Sequence, residues 1–419
     1  MAEPDATART EEEKLRSANR LALTVLGFCF FMGCTGRGLM EGFVVFLLPL
    51  SAEFGGDRAA ITTIYSLALL LSGLASPLTG LLFDRLGPRL LYGVGLSGMG
   101  LALLLAGSAT AIWHLQLAIG LGIGFGLAAV GNVPGTALVN RWFLTRQSFY
   151  SALIFSSFGV GVLLFVPFAE LLIQHFGWRD TYRLLGGLTL LLLVPTLLLP
   201  WRRIRAGHPA WRQEGQKRHA GAGLWTPGKV LRSLSFWGLF CVFFFTSQGM
   251  VSLSVQAVAY LVEIGFTPLQ AASAWGLSGI FMPLGMITFG WLDGVIGRRL
   301  SVLLSYATTV LGILCMWLLG HFPNVWLLGA FVFLMGSSLG SRGPLVAATA
   351  MQIFRGPNAA SIFGCITLAG GIGSALGSIW GGLVHDLTGG YEWVMVLSFL
   401  CMLGGLTPFL TIRALRGEK

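Results

Sequence analysis

The chain has 419 residues, of which 55% are hydrophobic and 11% charged, and its mean hydropathy is +0.77. That composition leaves too little polar surface to cover a water-soluble globule, so the solvent is a bilayer. A formal charge of +10 would suggest nucleic acid for a soluble domain. Here the basic residues are spread over short loops between apolar runs, which points to anionic lipid and excludes nucleic acid as an expected partner.

A spanning helix needs roughly 20 mostly apolar residues. Twelve windows qualify: Leu21 to Leu50, Ala60 to Phe83, Arg89 to Ala109, His114 to Asn140, Ser148 to Gln174, Thr181 to Leu199, Ser233 to Val262, Leu269 to Leu292, Leu300 to Leu319, Val325 to Ile353, Ala359 to Val384 and Tyr391 to Ile412. Their periods are helical, and lipid tolerates no open sheet edge. The predicted fold class is therefore an all-α membrane protein with 12 transmembrane helices. Residues 1–20 form a polar tail without the apolar core of a cleavable signal, so the first span is expected to remain as an anchor. Residues 21–200 and 233–412 form two six-helix bundles, joined by a basic linker at 201–232 and followed by a tail at 413–419.

The positive-inside rule orients the chain. All but five of the 27 Lys and Arg residues fall on one side. The exceptions are Arg58, Arg179 and Arg183, on the other side, and Arg37 and Arg342, inside spans. Both termini are thus expected in the cytoplasm. The two halves also repeat. Gly80-Leu81-Leu82-Phe83-Asp84-Arg85-Leu86-Gly87-Pro88-Arg89 returns 210 positions later as Gly290-Trp291-Leu292-Asp293-Gly294-Val295-Ile296-Gly297-Arg298-Arg299. Phe28-Cys29 against Phe240-Cys241, Glu53 against Glu263 and Pro134 against Pro344 keep nearly the same offset, which marks two six-helix halves. The six cysteines and six histidines are scattered without ligand spacing, and no phosphate-cradling loop is present. Neither metal, cofactor nor enzymatic activity is expected.

The paired turns, one between the second and third spans and one between the eighth and ninth, resemble the signature loops of the major facilitator superfamily. Asn140-Arg141-Trp142-Phe143-Leu144-Thr145-Arg146, Phe46, Pro49 and Glu53-Phe54, together with Gly340-Ser341-Arg342-Gly343-Pro344-Leu345 and Gly177-Trp178-Arg179, resemble its bacterial monocarboxylate and oxalate/formate porter branch. The resemblance implies a monomeric, multi-pass transporter of the bacterial inner membrane. It also marks departures. Where the branch has an Arg before a Pro in the eighth span, Met282 precedes Pro283, and Glu41 stands near the branch's first-span Lys.

Charges within a span are costly, so each is a candidate site residue. Arg37 and Glu41 are four apart and share a helix face. Arg37 and Arg342 are expected to bind an organic anion through forked guanidinium donors, with Glu41 as the proton-coupling group. The alternative is a purely internal Arg37 and Glu41 pair, with Arg342 capping backbone carbonyls. Gln248, Ser252, Gln256 and Tyr260 recur every four residues, and that stripe is expected to face the cavity with Asn132 and Tyr65. Asp84 and Asp293 are expected to pair with nearby Arg or with helix N-termini and lock the cytoplasmic side when the transporter opens outward, Arg85, Arg89, Arg298 and Arg299 supplying the charge. Proton symport of a small carboxylate by alternating access is the leading expectation. The alternatives are a proton-driven exporter of amphipathic drug-like or siderophore-like compounds, using Phe28, Phe30, Phe31, Phe243, Phe244 and Phe245, and a non-transporting receptor or sensor.

Overall fold

The structure is a computed structural model that describes residues 6–54, 58–209, 225, 227–356, 358–388 and 390–416. Arg212, Lys217 and Arg218 of the expected linker and Lys419 of the expected tail lie outside the described residues. Among the described residues eleven helices are long and apolar enough to cross a membrane, and the longest, Gln147–Leu198, is divided by the non-helical Gly177 (φ 76°, ψ 167°), which is consistent with the expected twelve spans.

Several spans are assembled from pieces. The first runs Ala6–Glu41 and resumes at Phe43–Phe54, so the window expected to be unbroken is interrupted at Gly42. The second and third are Arg58–Leu86 and Pro88–Ala106. The fourth ends in two helices, Gly124–Val130 and Asn132–Trp142, separated at Gly131. The short helix Trp201–Ala206 follows the sixth span. In the second half come Leu234–Glu263, Pro268–Val295 and Arg298–His321, then a divided tenth span, Val325–Ser338 and Arg342–Ile353, then Ala359–Thr388 and Glu392–Thr411.

Packing inverts the usual soluble pattern. Leu105, Leu163, Leu198 and Leu387 lie exposed on the outer surface, whereas Thr79, Ser151, Ser305 and Thr309 are fully buried. A small hydroxyl is tolerated inside because it can donate to its own helix: Thr79 to Ser76 O at 3.0 Å and Thr309 to Ser305 O at 3.1 Å. Bulky aromatics such as Tyr92, Phe83, Tyr306 and Phe409 fill the remaining interior.

Both signature turns use glycine where the backbone demands it. Gly87 and Gly297 sit at φ 90° and 84°, which a residue with a Cβ adopts only under strain. Ahead of the turns, small residues bring the halves together, the second span packing on the eleventh and the fifth on the eighth. A Cβ on Gly80 would meet the backbone of Ala360 and Ser361, and one on Gly364 would meet that of Ser76.

The Glu53 and Glu263 repeat has a structural explanation at the opposite face. Trp178 Nε1 donates to Glu53 Oε2 at 2.6 Å and the Arg179 guanidinium donates to Oε1, while Arg179 also reaches Ala109 O at 3.0 Å. The Arg179 hydrogen bond, seconded by Trp178, holds the Glu53 carboxyl below the usual carboxylate range. In the second half Tyr391 OH donates to Glu263 Oε1 at 2.9 Å. Each glutamate thus ties the end of its half's first span to the turn before that half's last span.

Within the eighth span, an added side chain on Gly285 would overlap the Ser337 backbone, whereas Gly276 faces open space. Gly285→Val is expected to destabilise by about 1–3 kcal/mol or more and Gly276→Val to leave the melting temperature near that of the parent, both read by thermal unfolding in detergent.

Candidate substrate site

Between the halves lies a cavity of about 280 Å³. Its first-half wall is Arg37, Asn132, Phe155 and Phe158, and its second-half wall includes Phe243, Thr246, Met282 and Arg342. The position of both Asn132 and Arg342 follows from local chain chemistry. Each is the first residue of a half-helix, Asn132–Trp142 and Arg342–Ile353, and each is followed two residues later by a proline, Pro134 or Pro344. Proline lacks an N–H and crowds the carbonyl four residues back, so it sits well in a first helical turn and poorly within a continuous helix. The chain accordingly departs from helical geometry at Gly131 (φ −85°, ψ −144°) and at Gly340 (φ 72°). The two half-helices therefore present their N-terminal ends, which carry positive partial charge, at the cavity wall.

Arg342 is 3% exposed. Nη1 and Nη2 both donate to Thr309 Oγ1 at 2.9 Å, Nη1 also reaches Ser305 O at 3.3 Å, and the guanidinium lies 4.5 Å from the Tyr306 ring centroid. Its Nε is buried without a hydrogen bond, and no described carboxylate forms an ion pair with it. Arg37 is different. Its Nη1 is 3.3 Å from Glu41 Oε1, and its guanidinium lies 4.3 Å from the Phe158 ring centroid. Tyr65 OH donates to the other Glu41 oxygen at 2.9 Å. The internal pair weighed from sequence is thus present, and its arginine also lines the cavity. Tyr65 and Glu41 stand behind that arginine instead of forming the wall.

The polar stripe of the seventh span lies elsewhere. Ser252 Oγ donates to Gln248 O at 2.9 Å and to Gly377 O at 2.8 Å, so this face packs on the glycine ridge of the eleventh span. Tyr260 donates to Met316 O at 2.9 Å and rests edge-on against Tyr391. Neither Gln248, Gln256 nor Tyr260 lines the cavity, whose seventh-span wall is Val242, Phe243, Thr246, Ser247, Met250 and Val251. Of the six phenylalanines considered for a bulky apolar pocket, only Phe243 lines it. Phe28 packs on Tyr92 and Trp201, and Phe31 is exposed on the outer surface.

At the motif face the two aspartates bridge the halves reciprocally. Asp84 Oδ2 accepts from Ser361 N at 2.8 Å and from Ser361 Oγ at 2.9 Å, with Arg141 at an ion-pair distance of 3.7 Å. Asp293 Oδ2 accepts a short hydrogen bond from Ser148 Oγ, and Arg298 lies 3.4 Å from its other oxygen. Arg298 also donates to Gln352 Oε1 at 2.8 Å. Arg85, Arg89 and Arg299 are exposed at this face. The partners that reasoning from sequence missed are Ser361, Ser148 and Arg141. Ser361 and Ser148 lie in the first turns of their helices, 213 positions apart, so the repeat spacing was the available signal. For Arg342, the missed seat of Thr309 and Tyr306 carried no signal in the sequence.

The family profile described as Major Facilitator Superfamily matches residues 23–378. The chain belongs to that superfamily. Its members are membrane transporters rather than enzymes, and the chain is a multi-pass membrane protein of that kind. It is 27% identical over 388 residues to Monocarboxylate transporter 13 of Bos taurus, covering 91% of this chain and 87% of the relative. It is 24% identical over 409 residues to the uncharacterized MFS-type transporter YcxA of Bacillus subtilis, covering 94% and 97%. In fold it is similar to the E. coli fucose:proton symporter FucP, at TM-score 0.67 and 16% identity over 90% of this chain and 97% of that one.

Thr309→Val removes the side-chain acceptor of two Arg342 donors in a buried setting. It is expected to cost about 1–3 kcal/mol, read as a lower melting temperature. Adding Arg342→Met is expected to recover much of that loss, so the two substitutions should be strongly non-additive in a double-mutant cycle.

Proposed function

We propose that this superfamily member moves a small monocarboxylate across the membrane by alternating access, in symport with a proton. The observation that carries the reading is Arg342, a buried guanidinium without a described carboxylate partner, at the start of a half-helix that faces its pseudo-equivalent at Asn132 across one cavity. Two helix N-termini and a forked donor together favour a carboxylate. The relatives named monocarboxylate transporters are consistent with that class of substrate. A volume of about 280 Å³ falls just below the roughly 300–1,000 Å³ of most ligand pockets, which favours a small substrate. Phe155, Phe158, Met282 and Met286 would receive a short apolar body, and Met282, standing where the branch has an Arg, leaves anion binding to Arg342 and Arg37.

Glu41 is the proposed proton carrier. Ionised, it holds Arg37 as an internal pair, and the cluster of Arg37, Arg342 and Glu41 carries a formal charge of +1. Protonated, it releases one acceptor from Arg37 and raises the formal charge to +2. The proton thus frees a guanidinium for the substrate, and loss of the proton expels the anion in its favour. Differential affinity of the two conformations for the loaded site then shifts their balance. Asp84 and Asp293 are the proposed locks of the motif face, which we take to be cytoplasmic, so the conformation described has that face sealed.

In proteoliposomes, counterflow of labelled short monocarboxylates is expected for the parent. For Arg342→Met the apparent affinity should fall roughly 10- to 100-fold; an unchanged affinity would overturn the anion site. Glu41→Gln is expected to retain exchange but lose acceleration by an inward proton gradient. Asp84→Asn combined with Asp293→Asn is expected to raise alkylation of a cysteine introduced by Ala360→Cys, in a chain otherwise freed of cysteine. Alkylation equal to that of the parent would remove the locking role.

A further inference from the structure

A second, larger cavity of about 830 Å³ lies away from the site between the halves, on the outer side of the first half. It is a groove between the third and sixth spans, closed at the motif face by the helix Trp201–Ala206. Leu90, Val94 and Leu197 expose apolar surface along it. At one end stand Arg89, Arg202 and Arg205, all exposed, and none forms an ion pair with a described carboxylate.

The basic end is held firmly. Trp201 and Ile204 are buried against the first half while Arg202, Arg203 and Arg205 face outward. Trp201 Nε1 donates to Thr196 O at 2.6 Å, and Trp142 Nε1 donates to Ile204 O at 3.0 Å. The Arg205 guanidinium rests against Gly87 of the signature turn. Along the third span the groove extends from Pro88 to Gly98, about 15 Å of helix at 1.5 Å per residue. One leaflet of hydrocarbon is about 15 Å deep.

We propose that this groove binds one anionic phospholipid, with its phosphate on Arg89, Arg202 and Arg205 and an acyl chain along Leu90, Val94 and Leu197. Charge and length each point to that occupant. Three clustered guanidiniums without described counter-ions favour a negative headgroup, and apolar walls of leaflet depth favour a chain that a soluble phosphate lacks. The bound lipid would fasten the linker helix to the turn that carries Asp84.

The test is native mass spectrometry of the full chain in detergent, titrated with phosphatidylglycerol or with phosphatidylcholine of the same acyl chains. One retained phosphatidylglycerol per chain is expected, preferred over phosphatidylcholine by roughly tenfold or more. Arg202→Gln with Arg205→Gln should abolish the preference. Arg232→Gln with Arg413→Gln, two exposed basic residues outside the groove, should leave it intact. Gly93→Leu fills the groove without touching its charge and should weaken retention of phosphatidylglycerol. Retention unchanged in the groove variants, equal loss in the Arg232 and Arg413 variant, or displacement of the lipid by excess glycerol 1-phosphate would overturn the proposal.

Discussion

A helix interrupted inside a bilayer leaves amide and carbonyl groups that hydrocarbon cannot satisfy, so interruptions survive only where protein or water meets them. This constraint governs the arrangement of the fourth and tenth spans. Pro134 and Pro344 enforce the breaks, Gly131 and Gly340 supply the backbone geometry, and the half-helices beginning at Asn132 and Arg342 can be tolerated because they open on a cavity between the halves. The constraint thereby fixes where a polar ligand can be received. Two positive helix ends are brought to one cavity before any charged side chain is considered.

The side chains then divide the work unequally. Asn132 and Arg342 occupy equivalent places in the repeat, 210 positions apart, yet only the second carries a charge. Arg342 is seated on neutral acceptors, Thr309 Oγ1 and Ser305 O, and against Tyr306. Such a seat orients a guanidinium without neutralising it. Arg37 is neutralised by Glu41, which Tyr65 steadies from the other side. In the proposed mechanism the first arginine would be open to an anion at all times and the second only conditionally, and a proton would act on the conditional member alone.

Much of this was legible in the sequence, and the failures share a cause. Span number follows from hydropathy, and the repeat of Asp84 and Asp293 follows from spacing, because both are properties of the chain alone. Arg37 and Arg342 were recognisable because any charge in hydrocarbon requires explanation. The stripe of Gln248, Ser252, Gln256 and Tyr260 was real, but periodicity defines a helix face without defining its neighbour. The neighbour proved to be the glycine ridge of the eleventh span, where Ser252 bonds to Gly377 O, with Met316 O of the ninth span receiving Tyr260. For the same reason Asp84 was expected to pair with a nearby arginine or a helix N-terminus without either being identified; the helix end it meets is that of Ser361, 277 positions away. Proximity across the halves is a property of the assembled fold, and one sequence shows it only where the repeat happens to expose it, as with Ser148 and Ser361.

The reciprocal arrangement of the two aspartates also limits how the molecule can change shape. Each carboxylate belongs to one half and accepts from the first turn of a helix in the other, where a helix N-terminus favours negative charge. If the halves move as bodies, as the proposed alternating access has it, opening this face would separate both pairs together. Hydrogen bonds to charged groups are worth about 1.5–3 kcal/mol each, and water replaces part of that when the seam opens. The remainder is of the order that a bound ligand supplies through differential affinity, a hundredfold ratio being about 2.7 kcal/mol. A seam much stronger than this would not yield to a small anion, and one much weaker would not stay shut without it. Two carboxylates held mainly by a serine each, with arginines at 3.4 and 3.7 Å, lie in the range where, on the proposed mechanism, a substrate at Arg342 would decide the balance.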